Sequence, residues 1–576
     1  MSPVPMKSSD PVAQRLAAVL ADWNRSDAPG LLVSVVHHGA PLLRTGVGLA
    51  SLESMQANHP GTRMRIGSTT KHFTSALALL MAREGLLQLD DPIGRWLPEL
   101  PADQGRRTLR QLMSHTGGMR DALDLSLISN GGTAMPAEGS LDYQCRQRES
   151  NFEPGARFSY NNGGYRLLSI AIERILGRPF GQALRDWVLG PLGLHDTELW
   201  ESDLQLRRGV AQAHVRRPDG RFDRGVFPAT MLGEGGLIST LDDMQRWLSH
   251  LLKPTLWYAG LTAALTAPTR LNNGFITPYG LGLIDETWRG LRVVHHAGGV
   301  VGGSAQMIAV PTRGLQVVVM SNRSDVAAPE VAFRLIEAAL GDTLAPAAAT
   351  VSVTGREAML GHFHDPVSGQ AVELARHDGQ MIVKLNGSPL PLVHGAGGDL
   401  VVEPLSLVGL SLAPGGIDAD GRLTDLALRE QGRSHDCVRV DPAALDRERL
   451  LASFAGRWHS DELGADIVIG AAPQDDPAQA FAHMGLRGVY GRARFRLLPL
   501  VDDTAIVQNI DGDAPLHGVL RRRGRELFLT TMRTRHLRLI AAPRGASSDT
   551  SMESRVDAPS DAPSDARTDA RTDAGA

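Results

Sequence analysis

Cysteine and lysine are both scarce in this chain of 576 residues. The two cysteines, Cys145 and Cys437, lie far apart in the sequence, which excludes a disulfide scaffold and a structural zinc site built on cysteines. Only four lysines are present, so almost all of the positive charge is arginine. A lysine that falls within a catalytic motif therefore stands out against a background that contains few others.

Long apolar runs are also missing. No stretch reaches the length of about 18 apolar residues that a membrane span needs, and residues 1–10 lead into an amphipathic helix pattern rather than a signal-peptide core. We therefore expect a cytoplasmic protein. The net charge of −4 argues against a general nucleic-acid binder. The histidines lack the H-E-x-x-H spacing or any comparable metal-ligand spacing, so neither a metal nor another cofactor is expected.

The order of strand and helix patterns predicts a first domain whose sheet draws strands from both of its ends. A hairpin pattern covers residues 31–47, and strand patterns return over residues 291–320, before a closing helix at about 329–340. Residues 90–250 between them have mainly helix and loop patterns. Short connections make the strands antiparallel, and the first and last helices would cover them. The sequence thus predicts an α/β (α+β) domain with an antiparallel sheet and a helical insert over residues 1–343.

Short strands and glycine turns dominate after an alanine-rich linker at residues 344–350. The sequence G-H-F-H-D at residues 361–365 is echoed by G-R-W-H-S-D at residues 456–461. The echo predicts two similar β domains, small barrels or sandwiches, over residues 351–445 and 446–541. Chance similarity of so short a motif is the alternative.

The C-terminal segment, residues 547–576, consists largely of Asp, Ala, Ser, Pro and Arg. Such a composition buries too little apolar surface to offset the entropy of an ordered chain. We expect a disordered tail.

Residues 68–71 form an S-x-x-K motif at the start of an amphipathic helix pattern. Residues three apart lie on one face of a helix, so the Lys71 amine is expected beside the Ser68 hydroxyl. The lysine can act as a base only if burial or a neighbouring cation lowers its pKa towards neutrality. A helix cap followed by a solvated lysine is the alternative reading of the same motif.

Two further motifs carry polar groups suited to the same chemistry. Tyr160 and Asn162 lie two residues apart on a glycine-rich loop, where a phenol could relay a proton and an amide could orient Lys71. His296 ends a strand and is followed by Gly298 and Gly299, whose backbone a ligand can approach closely. Taken singly, these residues are equally typical of packing, turns and strand ends.

Together and in this order, S-x-x-K, Y-x-N and H-x-G resemble the beta-lactamase-like (penicillin-recognising) serine hydrolases over about residues 15–340. Flanking segments similar to that family are L-D-D-P at residues 89–92, L-M-S-H-T-G-G at 112–118 and E-P-G at 153–155. The resemblance implies that Ser68 is the acylated nucleophile, Lys71 its general base and Tyr160 the proton relay to the leaving group. It also implies that Asn162 contacts substrate and that His296 takes the first position of the third motif. An oxyanion site is expected between the backbone N–H of Ser68 and a residue near Gly299.

The histidine of H-x-G separates branches of the family, because beta-lactamases and D,D-peptidases usually have lysine there to bind a substrate carboxylate. The D-aminopeptidases of the family carry H-x-G and recognise a free amino terminus. Similarity to that branch extends over residues 225–230, 277–283, 330–335 and 456–463. It implies two antiparallel β-barrels after the catalytic domain, a small peptide or amino-acid amide as substrate, and, by analogy, a homodimer.

In that branch a loop of the last barrel reaches the active site and supplies an acid for the substrate ammonium. The matching segment here, residues 484–494, contains no acid. Either another residue supplies the acid, with Asp475 or Asp476 just upstream as the candidates, or amine recognition is altered. We nevertheless expect Gly485, Arg487 and Tyr490 to contact substrate. The alternatives are an esterase, a D-amino acid amidase or a beta-lactamase on the same scaffold, and, from another class, a non-catalytic ligand-binding protein.

Overall fold

The structure is a computed structural model that describes residues 11–133, 135–253, 260–402, 408–511 and 516–542. The expected disordered tail at residues 547–576 lies outside these ranges. Among the described residues, none of the helices combines the length and the apolar character needed to cross a membrane.

An antiparallel sheet of six strands forms the centre of the first domain, as the sequence predicts. From edge to edge, its strands are Ile284–Trp288, Leu291–Val300, Gly303–Val310, Leu315–Ser321, Leu31–His37 and Ala40–Val47. All neighbouring pairs are antiparallel. Strands from the two ends of the domain meet where Val33 pairs with Val319, so the sheet joins segments that the whole insert separates in the sequence.

Alternating side chains send the two faces of this sheet into different cores, because successive residues of a strand point to opposite sides. Val33 packs with the helices Pro11–Val19 and Ala328–Leu340 on one face. Leu32, its neighbour, belongs to the core of the other face, which contains Phe73 and Trp247. The face that carries the larger core is the one that holds the candidate nucleophile.

The insert is mainly helical, as expected from the sequence. Together with the flanking region it contains the helices Lys71–Arg83, Ala102–Gly105, Leu109–Met113, Ala122–Asn130, Gly139–Arg146, Asn162–Leu176, Phe180–Leu184, Leu241–Leu252 and Leu261–Thr266. Short strands connect and brace them at Leu49–Ser51, Gln56–Ala57, Met64–Arg65, Glu198–Leu199, His214–Arg216, Phe222–Arg224, Leu237–Ser239, Thr269–Arg270 and Ile276–Thr277.

Two antiparallel β structures follow the first domain. The first is a nine-stranded sheet built from Gly361–His364, Ala371–His377, Gln380–Leu385, Ser388–Pro391, Val393–His394, Leu400–Val401, Ser411–Pro414, Asp425–Glu430 and Arg433–Val440. The second is a closed barrel, preceded by the helix Arg447–Phe454, whose strands are Gly456–Ser460, Ala465–Ala471, Ala482–Arg487, Arg492–Val501, Thr504–Asn509, His517–Arg523, Glu526–Thr531 and Leu537–Ala541.

The echo noted in the sequence falls at the same point of both β structures. Gly361 and Gly456 each begin the first strand, and their φ angles are 149° and 137°. Residues other than glycine rarely adopt such angles, which explains why both copies keep glycine there. We propose the domain boundaries as first stated, at residues 1–343, 351–445 and 446–541.

Buried polar contacts hold the second barrel against the helical insert. Arg120 is fully buried and pairs with Glu462 of the barrel, and it also donates to the carbonyl oxygens of Arg535 and His536. The other oxygen of Glu462 accepts the backbone N–H groups of residues 148 and 149, at 2.7 and 2.9 Å. A buried charge pair with these extra hydrogen bonds fixes the orientation of the two units.

Replacing Glu462 with alanine should therefore destabilise the docked barrel by about 3 kcal/mol, because the buried Arg120 charge then keeps only the longer contact to Glu149, at 3.4 Å and half exposed. Thermal unfolding and the rate of limited proteolysis of the second barrel measure the effect. The matched control is Asp461→Ala, since the neighbouring carboxylate is exposed and its loss should change stability by about 0.5 kcal/mol or less. Equal unfolding of the two variants would contradict the assignment.

Candidate active site

Ser68 lies in a short 3₁₀ turn, Gly67–Thr70, that leads directly into the helix Lys71–Arg83. Gly67 has a φ of 52°, and a Cβ there would come within 2.9 Å of the backbone N and O of Gly299. Only glycine fits such a conformation and such a close approach at once. The serine turn is therefore pressed against the strand Leu291–Val300.

The Lys71 amine is enclosed by three oxygen atoms. Its Nζ lies 3.1 Å from Ser68 Oγ, 2.8 Å from Asn162 Oδ1 and 2.6 Å from the backbone oxygen of Glu234. A neutral amine has two hydrogens and one lone pair. Because the amide and the carbonyl oxygen can only accept, they take both hydrogens, and the lone pair is left for the Ser68 hydroxyl.

Burial decides the charge of this amine. Lys71 is fully buried, and desolvation lowers its pKa to about 7, with Arg533 acting in the same direction and Glu234 and Asp121 opposing it. Desolvation disfavours the charged form of a lysine. A substantial fraction of Lys71 is thus neutral at physiological pH and able to accept a proton.

Asp121 fixes the orientation of the Asn162 amide. Its Oδ2 accepts from Asn162 Nδ2 at 3.1 Å, which turns Asn162 Oδ1 towards Lys71. Its Oδ1 accepts the backbone N–H groups of Asn162 and Gly163, at 3.1 and 3.0 Å. A carboxylate at the first turn of the helix Asn162–Leu176 also interacts favourably with the positive end of that helix. Asp121 is therefore a positioning residue for the Lys71 site.

Tyr160 lies beside the same pair of residues. The Lys71 Nζ is 4.8 Å from the centroid of the Tyr160 ring. The Tyr160 hydroxyl is buried and makes no hydrogen bond of good geometry to any described residue, although Ser68 is near enough to favour its ionisation. Burial nevertheless raises its pKa above the ordinary value. The group is a neutral phenol, which suits it to relay a proton rather than to act as a base.

His296, predicted as a catalytic residue of the third motif, faces the interior and is not among the residues that line the Ser68 cavity. On its strand it shares a face with Gly298, at which a Cβ would lie 1.9 Å from the Ile66 carbonyl oxygen. Its Nε2 lies 3.1 Å from the Tyr279 hydroxyl, which is 3.1 Å from Nε2 of His115. Burial lowers the pKa of His296 to about 3, so the ring is neutral.

The donor and acceptor of each hydrogen bond in this buried series follow from the first donor, a backbone N–H. The Asn161 N–H donates to Nδ1 of His115 at 3.1 Å, so His115 carries its proton on Nε2 and donates to Tyr279. Tyr279 then donates to Nε2 of His296, whose Nδ1–H donates to the Ala297 carbonyl oxygen at 2.6 Å. This series of hydrogen bonds connects the loop that carries Tyr160 to the strand Leu291–Val300, and its side chains are neutral.

The cavity around Ser68 is lined in part by Asn162, Glu234 and Gly299. A Cβ at Gly299 would meet nothing within 4 Å, so this glycine faces open space, whereas Gly298 is closely packed. In the part of the chain that the structure describes, no three His, Cys, Asp or Glu side chains are grouped as a metal site requires.

Glu234 supplies an acid that was not identified from the sequence. The residue lines the cavity, and its Oε1 pairs with Arg166 at 3.3 Å. Its Oε2 is buried and has no hydrogen-bond partner among the described residues. A buried carboxylate oxygen without a donor is costly, which makes it a natural acceptor for a cationic ligand.

The expected loop of the last barrel does not line the cavity. Tyr490 donates to Asp142 at 2.8 Å and packs beside the helix Gly139–Arg146. Gly485 and Arg487 lie on the strand Ala482–Arg487 and are likewise absent from the lining.

Asp475 and Asp476, the suggested substitute acids, are likewise not among the residues that line the cavity. Asp476 is held within the barrel by His483 and Arg496, each at 2.8 Å. The second barrel instead reaches the cavity with Arg533, from a different turn. That residue belongs to no sequence motif, and only its distance from Ser68 in space identifies it.

Comparisons with known proteins agree with the fold. The family model described as Beta-lactamase matches residues 12–340, more than half of the chain. The D-aminopeptidase of Brucella anthropi is 28% identical over 454 residues, which cover 77% of this chain and 81% of that protein. The D-aminopeptidase of Brucella melitensis biotype 2 is 27% identical over 452 residues, with the same coverage. The solved structure of an octameric penicillin-binding protein homologue from Pyrococcus abyssi has a TM-score of 0.51 at 16% identity, covering 92% of this chain and 98% of that one.

The environment of Lys71 predicts how the reactivity of Ser68 depends on pH. Labelling of Ser68 by a fluorophosphonate should accelerate as the pH rises through about 7, because the amine must be neutral to accept the proton. Lys71→Arg keeps a cation that does not deprotonate and should slow labelling about 10²–10⁴-fold, the range of general-base catalysis. Lys253→Arg, at an exposed position, is the control. A flat pH profile would refute the role of Lys71 as the base.

Proposed function

This chain belongs to the beta-lactamase family, and we propose that it is a D-aminopeptidase, a serine hydrolase that removes N-terminal D-amino acids from peptides, amides or esters. The observation that carries the hydrolase assignment is the buried Lys71 amine whose lone pair is left for Ser68. The preference for D-residues is supported by the two D-aminopeptidases, whose similarity to this chain extends beyond the family region.

In the first step of the proposed reaction, Ser68 Oγ attacks the carbonyl carbon of the N-terminal residue. Lys71 takes the hydroxyl proton as the Oγ–C bond forms. The negative oxygen would be stabilised by the backbone N–H of Ser68 and that of a residue near Gly299. The carbon–nitrogen bond then breaks, and the proton passes from Lys71 through the Tyr160 hydroxyl to the leaving amine.

In the second step, water attacks the acyl-enzyme. Lys71 again accepts a proton, the new carbon–oxygen bond forms, and the Ser68 Oγ–C bond breaks. The proton returns to Ser68, and the D-amino acid leaves with a free carboxylate. Asn162 keeps the Lys71 amine oriented through both steps, and Asp121 keeps Asn162 oriented.

Recognition of the substrate ammonium is assigned to Glu234. The ammonium of an N-terminal residue is two bonds from the carbonyl carbon that Ser68 attacks, so its acceptor must lie in the Ser68 cavity. Glu234 lines that cavity and has an oxygen without a donor. A charge-assisted hydrogen bond would satisfy both groups.

The remaining assignments concern assembly and location. We propose a homodimer in the cytoplasm that acts on small peptides or amino-acid amides. The arrangement of the Ser68 cavity is contained within one chain and does not depend on either assignment.

The substrate class can be tested by comparing four chromogenic compounds. D-Ala p-nitroanilide should be hydrolysed and L-Ala p-nitroanilide should not, and a p-nitrophenyl ester and a cephalosporin should be poorer substrates. Ser68→Ala should abolish turnover while leaving the unfolding temperature nearly unchanged. Faster hydrolysis of the ester or of the cephalosporin would favour an esterase or a beta-lactamase instead. Failure of a fluorophosphonate to label Ser68 would revive a non-catalytic binding protein.

Glu234→Gln tests the recognition of the amine. The backbone oxygen that holds Lys71 is retained, so chemistry should survive, whereas kcat/KM for D-Ala p-nitroanilide should fall about tenfold or more, the usual effect of losing a charged hydrogen bond. An acetyl ester, which has no amine, should be affected less than about threefold. Both rates should be measured at a pH well above the pKa of Lys71, because Glu234 also raises that pKa. Equal losses for both substrates would exclude the assignment.

A further inference from the structure

Arg533 is a cation that the second barrel presents to the Ser68 cavity. It lies in the turn between the strands Glu526–Thr531 and Leu537–Ala541 and lines the same cavity as Ser68. Its side chain is 37% exposed, so the guanidinium is open to a ligand. The proposed hydrolytic mechanism gives this residue no role.

The turn that carries Arg533 is fixed by the catalytic domain. Thr531 donates to Asp124 at 2.5 Å. Asn151 donates to the Arg533 carbonyl oxygen and accepts the Arg535 N–H, both at 2.7 Å. Arg120 donates to the Arg535 carbonyl oxygen at 3.2 Å. These contacts fix the backbone from which the Arg533 side chain extends into the cavity.

Most of the donors of this guanidinium remain available. A guanidinium has five N–H donors, and the one hydrogen bond recorded between the Arg533 side chain and the described residues is a long one, from Nη1 to Asp121 Oδ2 at 3.3 Å. Asp121 already accepts from Asn162 and Gly163. The Arg533 Cζ lies 5.3 Å from the centroid of the Tyr160 ring, which supports one face of the planar group.

The charges around the cavity are complementary to a substrate with both signs. Glu234 provides an oxygen without a donor, Arg166 is committed to Glu234 and to backbone oxygens, and Asp121 is committed to the Asn162 helix. Among the described residues that line the cavity, Arg533 is the arginine with most of its donors left for a ligand, since only its Nη1 is paired, with Asp121. The planar fork of a guanidinium matches the two oxygens of a carboxylate.

We propose that Arg533 binds a carboxylate of the substrate and so makes an acidic group near the scissile bond a determinant of specificity. The inference rests on the proposed function for the identity of the reaction. The carboxylate can come from two sources, the free C-terminus of a D-aminoacyl dipeptide or the side chain of an N-terminal D-aspartate or D-glutamate. The alternative is a structural role, in which Arg533 only screens Asp121 and packs on Tyr160.

Paired substrates that differ only in one charge separate these roles. The first pair is the dipeptide D-Ala-Gly and the same dipeptide with a C-terminal amide. The second pair is D-Asp p-nitroanilide and D-Asn p-nitroanilide. The wild-type enzyme should prefer the carboxylate of at least one pair, and the responsive pair identifies the source. In Arg533→Gln, kcat/KM for that carboxylate substrate should fall about tenfold or more, through KM, while its neutral partner changes less than about threefold.

Two further variants sharpen the test. Arg533→Lys retains the charge without the fork and should recover part of the loss. Arg535→Gln removes an arginine of the same turn that points to Glu430, 3.8 Å away, and should behave like the wild type. All rates should be measured well above pH 7, since Arg533 also lowers the pKa of Lys71.

An equal loss for charged and neutral substrates in Arg533→Gln would overturn the proposal in favour of the structural role, as would a wild-type enzyme without preference in either pair. If the wild type hydrolyses none of these substrates, the proposed function fails, and the carboxylate site is tested by ligand protection. Free D-aspartate should then protect Ser68 from a fluorophosphonate better than D-asparagine does, and Arg533→Gln should abolish the difference. Equal protection by both ligands would overturn the proposal.

Discussion

The burial of one amine is the constraint on which the active site depends. An exposed lysine is almost entirely protonated at neutral pH and cannot take a proton from a serine. Lys71 is withdrawn from water completely, and its hydrogens are directed to two oxygens that can only accept. Desolvation makes the Lys71 amine neutral, and the two acceptor oxygens fix the direction of its lone pair. Neither alone would produce a base aimed at Ser68, which is why Asn162, Asp121 and the backbone of Glu234 must all be in position.

All three parts of the chain help to hold these groups in position. Gln431, at a turn of the first β structure, donates to and accepts from the backbone of Phe158 at 2.9 and 2.8 Å, two residues before Tyr160. The second barrel is tied to the insert through Arg120 and Glu462. These contacts are buried and polar, so they are strong only when their geometry is satisfied. The two β structures therefore help to fix the geometry of the helical insert, in addition to the residues that the second one places in the cavity.

The parts of this arrangement that sequence could predict are the local ones. Ser68 and Lys71 are three residues apart on a helix, and Tyr160 and Asn162 are two residues apart on one loop. The sequence therefore predicts that the members of each pair lie close together. The hairpin pattern at residues 31–47, rich in β-branched residues, and the strand patterns at residues 291–320 predicted the strands of the central sheet. By contrast, Glu234 and Arg533 reach the cavity only through tertiary structure, and no spacing connects them to Ser68. The sequence could not decide which way His296 faces, because a strand-end residue can face either side of a sheet, and the close packing of Gly298 turns this face inward.

The acid and the cation of the cavity differ in origin, and the difference bears on how specificity can change. Glu234 shares its backbone with the support of Lys71, so a shift of this residue to improve amine binding would also disturb the base. Arg533 comes from a turn of another domain and touches the catalytic groups only through Asp121 and the Tyr160 ring. Residues 484–494, which lack an acid, pack against the helices instead of entering the cavity. A neutral residue at position 533 would remove a positive charge from the cavity and leave the three oxygen atoms around Lys71 in place. It would also raise the pKa of Lys71, because Arg533 is one of the charges that lower it. A change in the charge that faces the substrate is therefore coupled to the protonation of the base.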